Sequence, residues 1–233
     1  MKSDPTPLNA NDFIERQLDE RNRSVARAFQ ADAITFSGGL LFGTDDALRT
    51  VVEAVRHKSS RGKLVVLLTT VGGYIEIVQR MVETLRNLYQ TVEFIVPNYA
   101  YSAGTVLAMS GDEIHMNYFS RLGPIDPQVE IEGRMVPALG FLVQWERLLA
   151  KSREGTLTTA EVQVMIYHFN QAELYKYEQA REHSVTLLKE WLAKYKFKNW
   201  TTTTTRKRKV TPRMRTDRAE EIALVRGRLA QRA

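Results

Sequence analysis

The chain has 233 residues, 43% of them apolar, enough for one substantial domain with appendages. It contains no cysteine, which excludes disulfides, thiolate nucleophiles and cysteine-ligated zinc, and its four histidines show no HExxH spacing, so no metal is expected. The net charge of +6 belongs to the tail: residues 201–233 hold ten basic and three acidic residues (+7), leaving 23 basic and 24 acidic (−1) in residues 1–200.

Residues 1–12 are polar and read as a loose arm, followed by a helix through NDFIERQLDERNRSVARAF with Asn11 as its expected N-cap. AITFSGG is a brief strand closing on a Gly-Gly turn. GTDDALRTVVEAVRHK has helical periodicity, with Leu48, Val51, Val52 and Val55 expected on one side. KLVVLLTT is a continuous apolar run, the pattern of a strand covered on both faces.

The same logic then repeats. VGG leads into YIEIVQRMVETLRNLY, whose Ile75, Val78, Val82 and Leu85 mark one helical face, and TVEFIVP is a second buried strand. The small-residue turn NYAYSAGT, a short helix through TVLAMS and the strand DEIHM follow. Strand, small-residue turn, helix, strand, turn, helix implies a parallel α/β sheet with its turns aligned at the carboxyl ends of the strands, where sites lie in such sheets.

Beyond SRLGPIDPQ the character changes. VPALGFLVQWERLLAK and the stretch from Thr158 to about Lys196 are expected to be helical, with Leu174, Ala180, Leu187, Leu188 and Trp191 as buried contacts and Thr158 or Thr159 as a cap. TTTTTRKRKVTPR reads as a linker and DRAEEIALVRGRLAQ as a final short helix. The resulting division is an arm and short helix over 1–27, an α/β core over 28–140, a helical extension over 141–200 and a flexible basic tail over 201–233. Nucleic-acid contact is expected to be at most non-specific, through the basic stretch 206–232. No apolar run approaches the roughly 20 residues that cross a bilayer. MKSDPTPLNANDF lacks the apolar centre of a signal peptide, so a soluble cytoplasmic protein is expected.

Two turns carry the chemistry. In VGG, Gly72 and Gly73 let backbone approach a ligand closely and leave amide donors free at a helix start for a developing anion; any strand-to-helix turn also favours glycine. Ser102, in AYSAG, does not meet the GxSxG pattern. By spacing alone it is either the N-cap of a short helix or a nucleophile at a helix N-terminus. The two turns follow successive strands at one end of one sheet, as a nucleophile and its oxyanion donors require.

TTVGGYIEIVQRMVETL, IVPNYAYSAGTVLAMSGDEIHM and SRLGPIDPQ, in that order, resemble the ClpP/crotonase-fold serine peptidases, and within them the SDH-type (serine dehydrogenase proteinase) subgroup. The resemblance covers roughly residues 30–140. It implies repeated ββα units, Ser102 as nucleophile, the amides of Gly72 or Gly73 with Ala103 as the oxyanion hole, no cofactor, a peptide or unfolded-protein substrate bound extended, and a homo-oligomer. The chain departs from the pattern at the base. No histidine stands in RLGPIDPQ, and no lysine falls near Leu139 or Gly140. Asp126 and Lys151 are the candidate bases, against plainer roles as a turn-forming aspartate and a solvated helix-end charge. A Clp-fold scaffold for protein–protein interaction is the alternative class, and an acyl-CoA enzyme of crotonase type ranks below it.

Overall fold

The computed structural model describes residues 9–125, 128–131, 134–137, 139–168, 170–200 and 212–229. Helix α1 (Ala10–Phe29) is capped by Asn9, whose side chain accepts the Asp12 amide at 3.0 Å; the cap lies two residues before the expected Asn11, because the earlier asparagine already satisfies the third amide of the first turn. Strand β1 (Asp32–Ser37), helix α2 (Thr44–His57), strand β2 (Lys63–Thr69), helix α3 (Ile75–Leu88) and strand β3 (Thr91–Val96) follow. A two-residue strand β4 (Tyr99–Ala100), helix α4 (Ala103–Met109), strand β5 (Glu113–Met116) and a short β6 (Arg121–Leu122) complete the core.

The main sheet runs β1-β2-β3-β5 and every pairing in it is parallel. The strands advance in one direction, so right-handed crossovers place α2, α3 and α4 on the same face. That face buries Leu64, Val66, Leu68, Phe94 and Val96 of the strands against Val52, Val78, Met81, Leu85 and Val106 of the helices. At about 1.5–3 kcal/mol for each fully buried large side chain, this layer dominates the stability of the domain. Ile75, Val78, Val82 and Leu85 are all buried, as the periodicity of α3 predicts. Val51 departs from expectation and is half exposed; it stands at the margin of the α2 stripe, where it lines a shallow cavity with Asn22 and Arg23 of α1. Helix α1 contributes no buried residue.

After the core, strands β7 (Gln128–Ile131) and β8 (Arg134–Pro137) form an antiparallel hairpin. Val136 and Pro137 therefore belong to a strand and not to the helix expected to begin there; cross-strand pairing takes them, and helix α5 (Leu139–Arg153) starts two residues after the proline. Helix α6 (Thr159–His168) opens on a capping box in which Thr158 and Glu161 exchange bonds to each other's amides. Helix α7 (Gln171–Trp191) buries Leu174, Leu187, Leu188 and Trp191, with Ala180 half-buried. It passes into a π-helical turn over Leu192–Lys196. Helix α8 (Pro212–Leu229) packs on α7 and sets Ala219 fully into the core.

The extension is held to the core by buried charge. Arg86 of α3 donates to Asp112 Oδ2 at 2.6 Å and lies 3.7 Å from the ring centre of Tyr195, while Lys198 pairs with the other Asp112 oxygen. Burial pushes the Asp112 carboxyl up, but bonds from Lys198, the Val92 amide and Arg86 together hold it below the usual carboxylate range. Glu93 shows the same balance: burial raises it, and Lys63 and His115 more than offset that. Both carboxyls have folded pKa values below their unfolded ones, so the unfolded chain takes up protons first. Their stabilisation is complete above the unfolded carboxylate range of about 4 and is lost as the pH falls through the folded values. The urea midpoint is thus expected to hold between pH 7 and about 5 and to drop below about pH 4. Asp112→Ala should cost about 3 kcal/mol at pH 7, because it strands Arg86 without its carboxylate; urea titrations of both proteins across that pH range test this.

Candidate active site

The site is built where β2 and β3 end. Beyond β2, the chain pairs on both sides at once. The Leu40 amide donates to Gly72 O and the Tyr74 amide to Leu40 O, both at 2.9 Å. On the opposite side the Thr70 amide donates to Tyr99 O at 3.1 Å and the Tyr101 amide to Thr70 O at 3.0 Å. The VGG turn is thereby clamped between the loop after β1 and the turn that carries Ser102.

The approach is close. A Cβ on Gly72 would stand 2.6 Å from Tyr101 O and 2.9 Å from Ser102 Cβ, and the residue has φ 101°, so only glycine fits. Gly104 is held as tightly, since a Cβ there would lie 2.3 Å from Thr70 Cγ2. Gly72, Ser102 and Ala103 are therefore neighbours, with Gly73 the next residue along.

The two glycines are not equivalent. The Gly72 amide is already engaged, donating to Thr70 Oγ1 at 3.0 Å. Gly73 is bridged to Leu40 through its neighbours, so its own N–H points away from Leu40. Among the described residues neither the Gly73 nor the Ala103 amide donates a hydrogen bond, and Gly73 is exposed. Of the two glycines, Gly73 presents a free donor.

Ser102 has φ 51° and ψ −124°. Gln30, the other described non-glycine residue with positive φ, sits at an ordinary left-handed helix end; Ser102 lies outside that basin, at a cost of about 1–3 kcal/mol. The side chain of Ser102 forms no capping bond to α4. A serine placed to cap a helix adopts extended backbone and bonds the second or third amide, and this one does neither. Ser102 stands instead on a sharp, strained strand-to-helix turn.

Two residues not singled out in the sequence hold the turn. Thr70 orients Gly72 through its hydroxyl. Fully buried Thr105 donates to Ala100 O (2.7 Å) and Gly123 O (2.9 Å), joining the Ser102 turn to the RLGP segment. The signal for both was a hydroxyl residue directly beside each small-residue turn, in TTVGG and SAGT. Gly123 itself packs on Tyr101, where a Cβ would stand 2.8 Å from the ring.

The candidate bases differ in placement. β6 pairs in parallel with β4, Tyr99 opposite Arg121 and Ala100 opposite Leu122, and the Gly123 amide donates to Ala100 O. Asp126, three residues beyond Gly123, lies outside the described residues. Lys151 is on α5, half exposed and paired with Glu161 of α6. His115 is on β5 and bonds Glu93 at 2.9 Å. Glu93, Glu113 and His115 form a potential ligand cluster, in which Glu93 is already paired through Oε1 with the Lys63 ammonium at 2.7 Å.

The parallel sheet thus ends in a strained serine turn held against a glycine turn. The chain belongs to the ClpP-like SDH-type serine proteinase family, whose profile matches residues 8–213. Two uncharacterised proteins of Methanocaldococcus jannaschii are similar to it. One is 27% identical over 151 residues, covering 64% of this chain and 50% of that protein. The other is 30% identical over 88 residues, covering 38% and 31%. The chain thus spans half or less of the length of these curated relatives. Among solved structures, a membrane-bound stomatin-specific protease is 17% identical with a TM-score of 0.40, covering 62% of this chain and 74% of that one. The ClpP catalytic domain of Plasmodium falciparum is 14% identical with a TM-score of 0.35, covering 48% and 52%. No helix among the described residues is long and apolar enough to cross a membrane.

Gly72→Ala is expected to lower the stability by about 1–3 kcal/mol and to displace the Ser102 turn. Thermal melts and the near-ultraviolet signal of Tyr99 and Tyr101, stacked at 4.9 Å beside the serine, read both effects.

Proposed function

We propose that the protein is a serine peptidase in which Ser102 is the nucleophile and the amides of Gly73 and Ala103 hold the oxyanion. The observation that carries this reading is the strained, non-capping backbone of Ser102 in contact with the glycine turn. The substrate is a peptide or unfolded segment laid in extended form along the exposed Gly73 backbone. The Ser102 hydroxyl adds to the scissile carbonyl carbon, its proton passes to a base, and the carbonyl oxygen becomes an alkoxide between the two amides. Collapse breaks the C–N bond as the base returns the proton to the departing amine. Water then repeats the sequence on the acyl-enzyme and frees Ser102. No cofactor is required.

We assign the base to Asp126. The parallel pairing of β4 with β6 supports this, since it sets the RLGP segment, which Asp126 follows closely in sequence, against the strand that leads into Ser102. Lys151 is ion-paired with Glu161 on the helical extension, so its ammonium is already engaged away from the serine turn. Assembly with further copies of this chain belongs to the same reading, supported by the exposed apolar side chains Ile166 and Tyr167 of α6.

A fluorophosphonate probe should label the wild type and spare Ser102→Ala; equal labelling of both proteins removes Ser102 as nucleophile. Asp126→Asn should lower kcat by about 100-fold or more with KM little changed, whereas Lys151→Met should retain activity. Loss of turnover in the lysine variant alone would transfer the role of base to Lys151.

A further inference from the structure

We infer that Glu93, Glu113 and His115 form a binding site for one divalent transition-metal ion of the zinc class, on the face of the sheet turned away from α2, α3 and α4. The inference goes beyond the peptidase reading and does not depend on it.

Strand pairing makes the site. Val92, Phe94 and Val96 of β3 pack into the helix layer, so Glu93 between them faces the other way. In the parallel register Glu93 stands opposite Glu113 of the edge strand β5, and His115, two residues on, shares its face. One ligand atom from each of the three lies within 4.8 Å of the others, the one such group among the described residues. Two donors on one strand completed by a third from its neighbour make no linear motif, which is why histidine spacing alone gives no sign of a metal.

Two of the three donors are preset. Glu93 is buried and its oxygens are divided: Oε1 pairs with the Lys63 ammonium at 2.7 Å, and Oε2 lies 2.9 Å from His115 Nε2. The rings of Phe29 and His115 meet edge-to-face with centres 4.9 Å apart, which steadies the imidazole. Glu113 is exposed, with Oε2 3.9 Å from the same His115 nitrogen. An ion about 2.0–2.2 Å from each donor holds neighbouring donors roughly 2.8–3.6 Å apart. The His115–Glu93 pair already has that spacing, and the solvated Glu113 side chain has to close by less than about 1 Å. The ion takes the position of the proton now shared between imidazole and carboxylate.

Charge selects the class of ion. Besides Lys63, Lys196 of the π-helical turn lies close enough for Glu113 and Glu93 to act on its ammonium. Two carboxylates thus face two ammonium groups, and a cation held by charge alone, such as Mg²⁺ or Ca²⁺, gains little there. An ion that also bonds strongly to imidazole does gain, and one imidazole with two carboxylates is a donor set that zinc accepts. Glu93 stands three residues back from the carboxyl end of β3, about 10 Å along the strand, so the ion takes no part at Ser102. It ties the edge strand to β3 instead.

The test uses the full chain without a polyhistidine tag, stripped with EDTA and titrated calorimetrically with Zn²⁺ at pH 7.5. Binding should saturate at one ion per chain and, at a hundredfold excess over Kd, raise Tm by about 5–10 °C, while millimolar Mg²⁺ or Ca²⁺ does neither. His115→Ala and Glu113→Gln should each weaken binding at least about tenfold, the loss seen even for groups that only orient a ligand. Glu113→Gln keeps the metal-free urea midpoint, because that side chain is exposed, so its loss of affinity is not a loss of fold. His183→Ala, which alters a histidine bonded to Gln79 elsewhere, should bind as the wild type does. No saturable binding of Zn²⁺, an affinity that survives both site substitutions, or an equal response to Mg²⁺ and Ca²⁺ overturns the site. Ser102→Ala should bind zinc unchanged, so failure of the peptidase reading and failure of the metal site are read separately.

Discussion

The structure depends on one close approach, that of Gly72 to Ser102. Two strand ends can be brought this near only if one contributes no side chain, and the glycine contributes none. Everything around the contact serves to keep it. Leu40 and Tyr101 flank the glycine turn with backbone bonds, Thr70 fills the space beneath it, and Gly104 lets α4 settle onto Thr70. The parallel order of the sheet is what makes such an arrangement available, because it delivers successive strand-to-helix turns to the same end. A strained serine costs free energy that this packing returns elsewhere.

Much of the fold was legible because burial leaves a periodic trace. The runs KLVVLLTT and TVEFIVP became β2 and β3, and the apolar stripe of α3 is buried residue for residue. Where backbone pairing decides the outcome, the trace is absent. The two-residue strands β4 and β6 are too short to show a period, yet they pair the start of the RLGP segment with the residues that lead into the serine turn. The hairpin of β7 and β8 claimed residues whose apolar character suited a helix equally well. Asn9 and Asn11 are both competent caps, and only the path of the chain chose between them.

The site was legible in a different way. Small residues in two turns pointed to a tight contact, and the contact is there. The sequence left Gly72 and Gly73 interchangeable, because the distinction lies in the direction of an N–H. The hydroxyl of Thr70 occupies one amide and the bridge to Leu40 turns the other outward, and neither is a property of the motif GG. In the same way the absence of a capping bond from the Ser102 side chain to α4 follows from backbone angles, to which residue identity gives no access. At the opposite edge, the charged residues Arg86, Asp112 and Lys198 lie far apart in sequence and converge only once α7 has returned to the core.

Helix α1 has a consequence of its own. It runs for 20 residues without burying one side chain, and its neighbour β1 is the edge strand of the sheet. Its amides are therefore guarded by local helix bonds and a thin contact, whereas those of β2 and β3 are guarded by the whole apolar layer. In hydrogen-exchange terms the domain has at least two tiers of opening, an outer one that releases α1 at little cost and an inner one that requires the parallel sheet to come apart. The two turns that meet at Ser102 are tethered to the inner tier, so the geometry of the site survives excursions that unfasten the N-terminal helix.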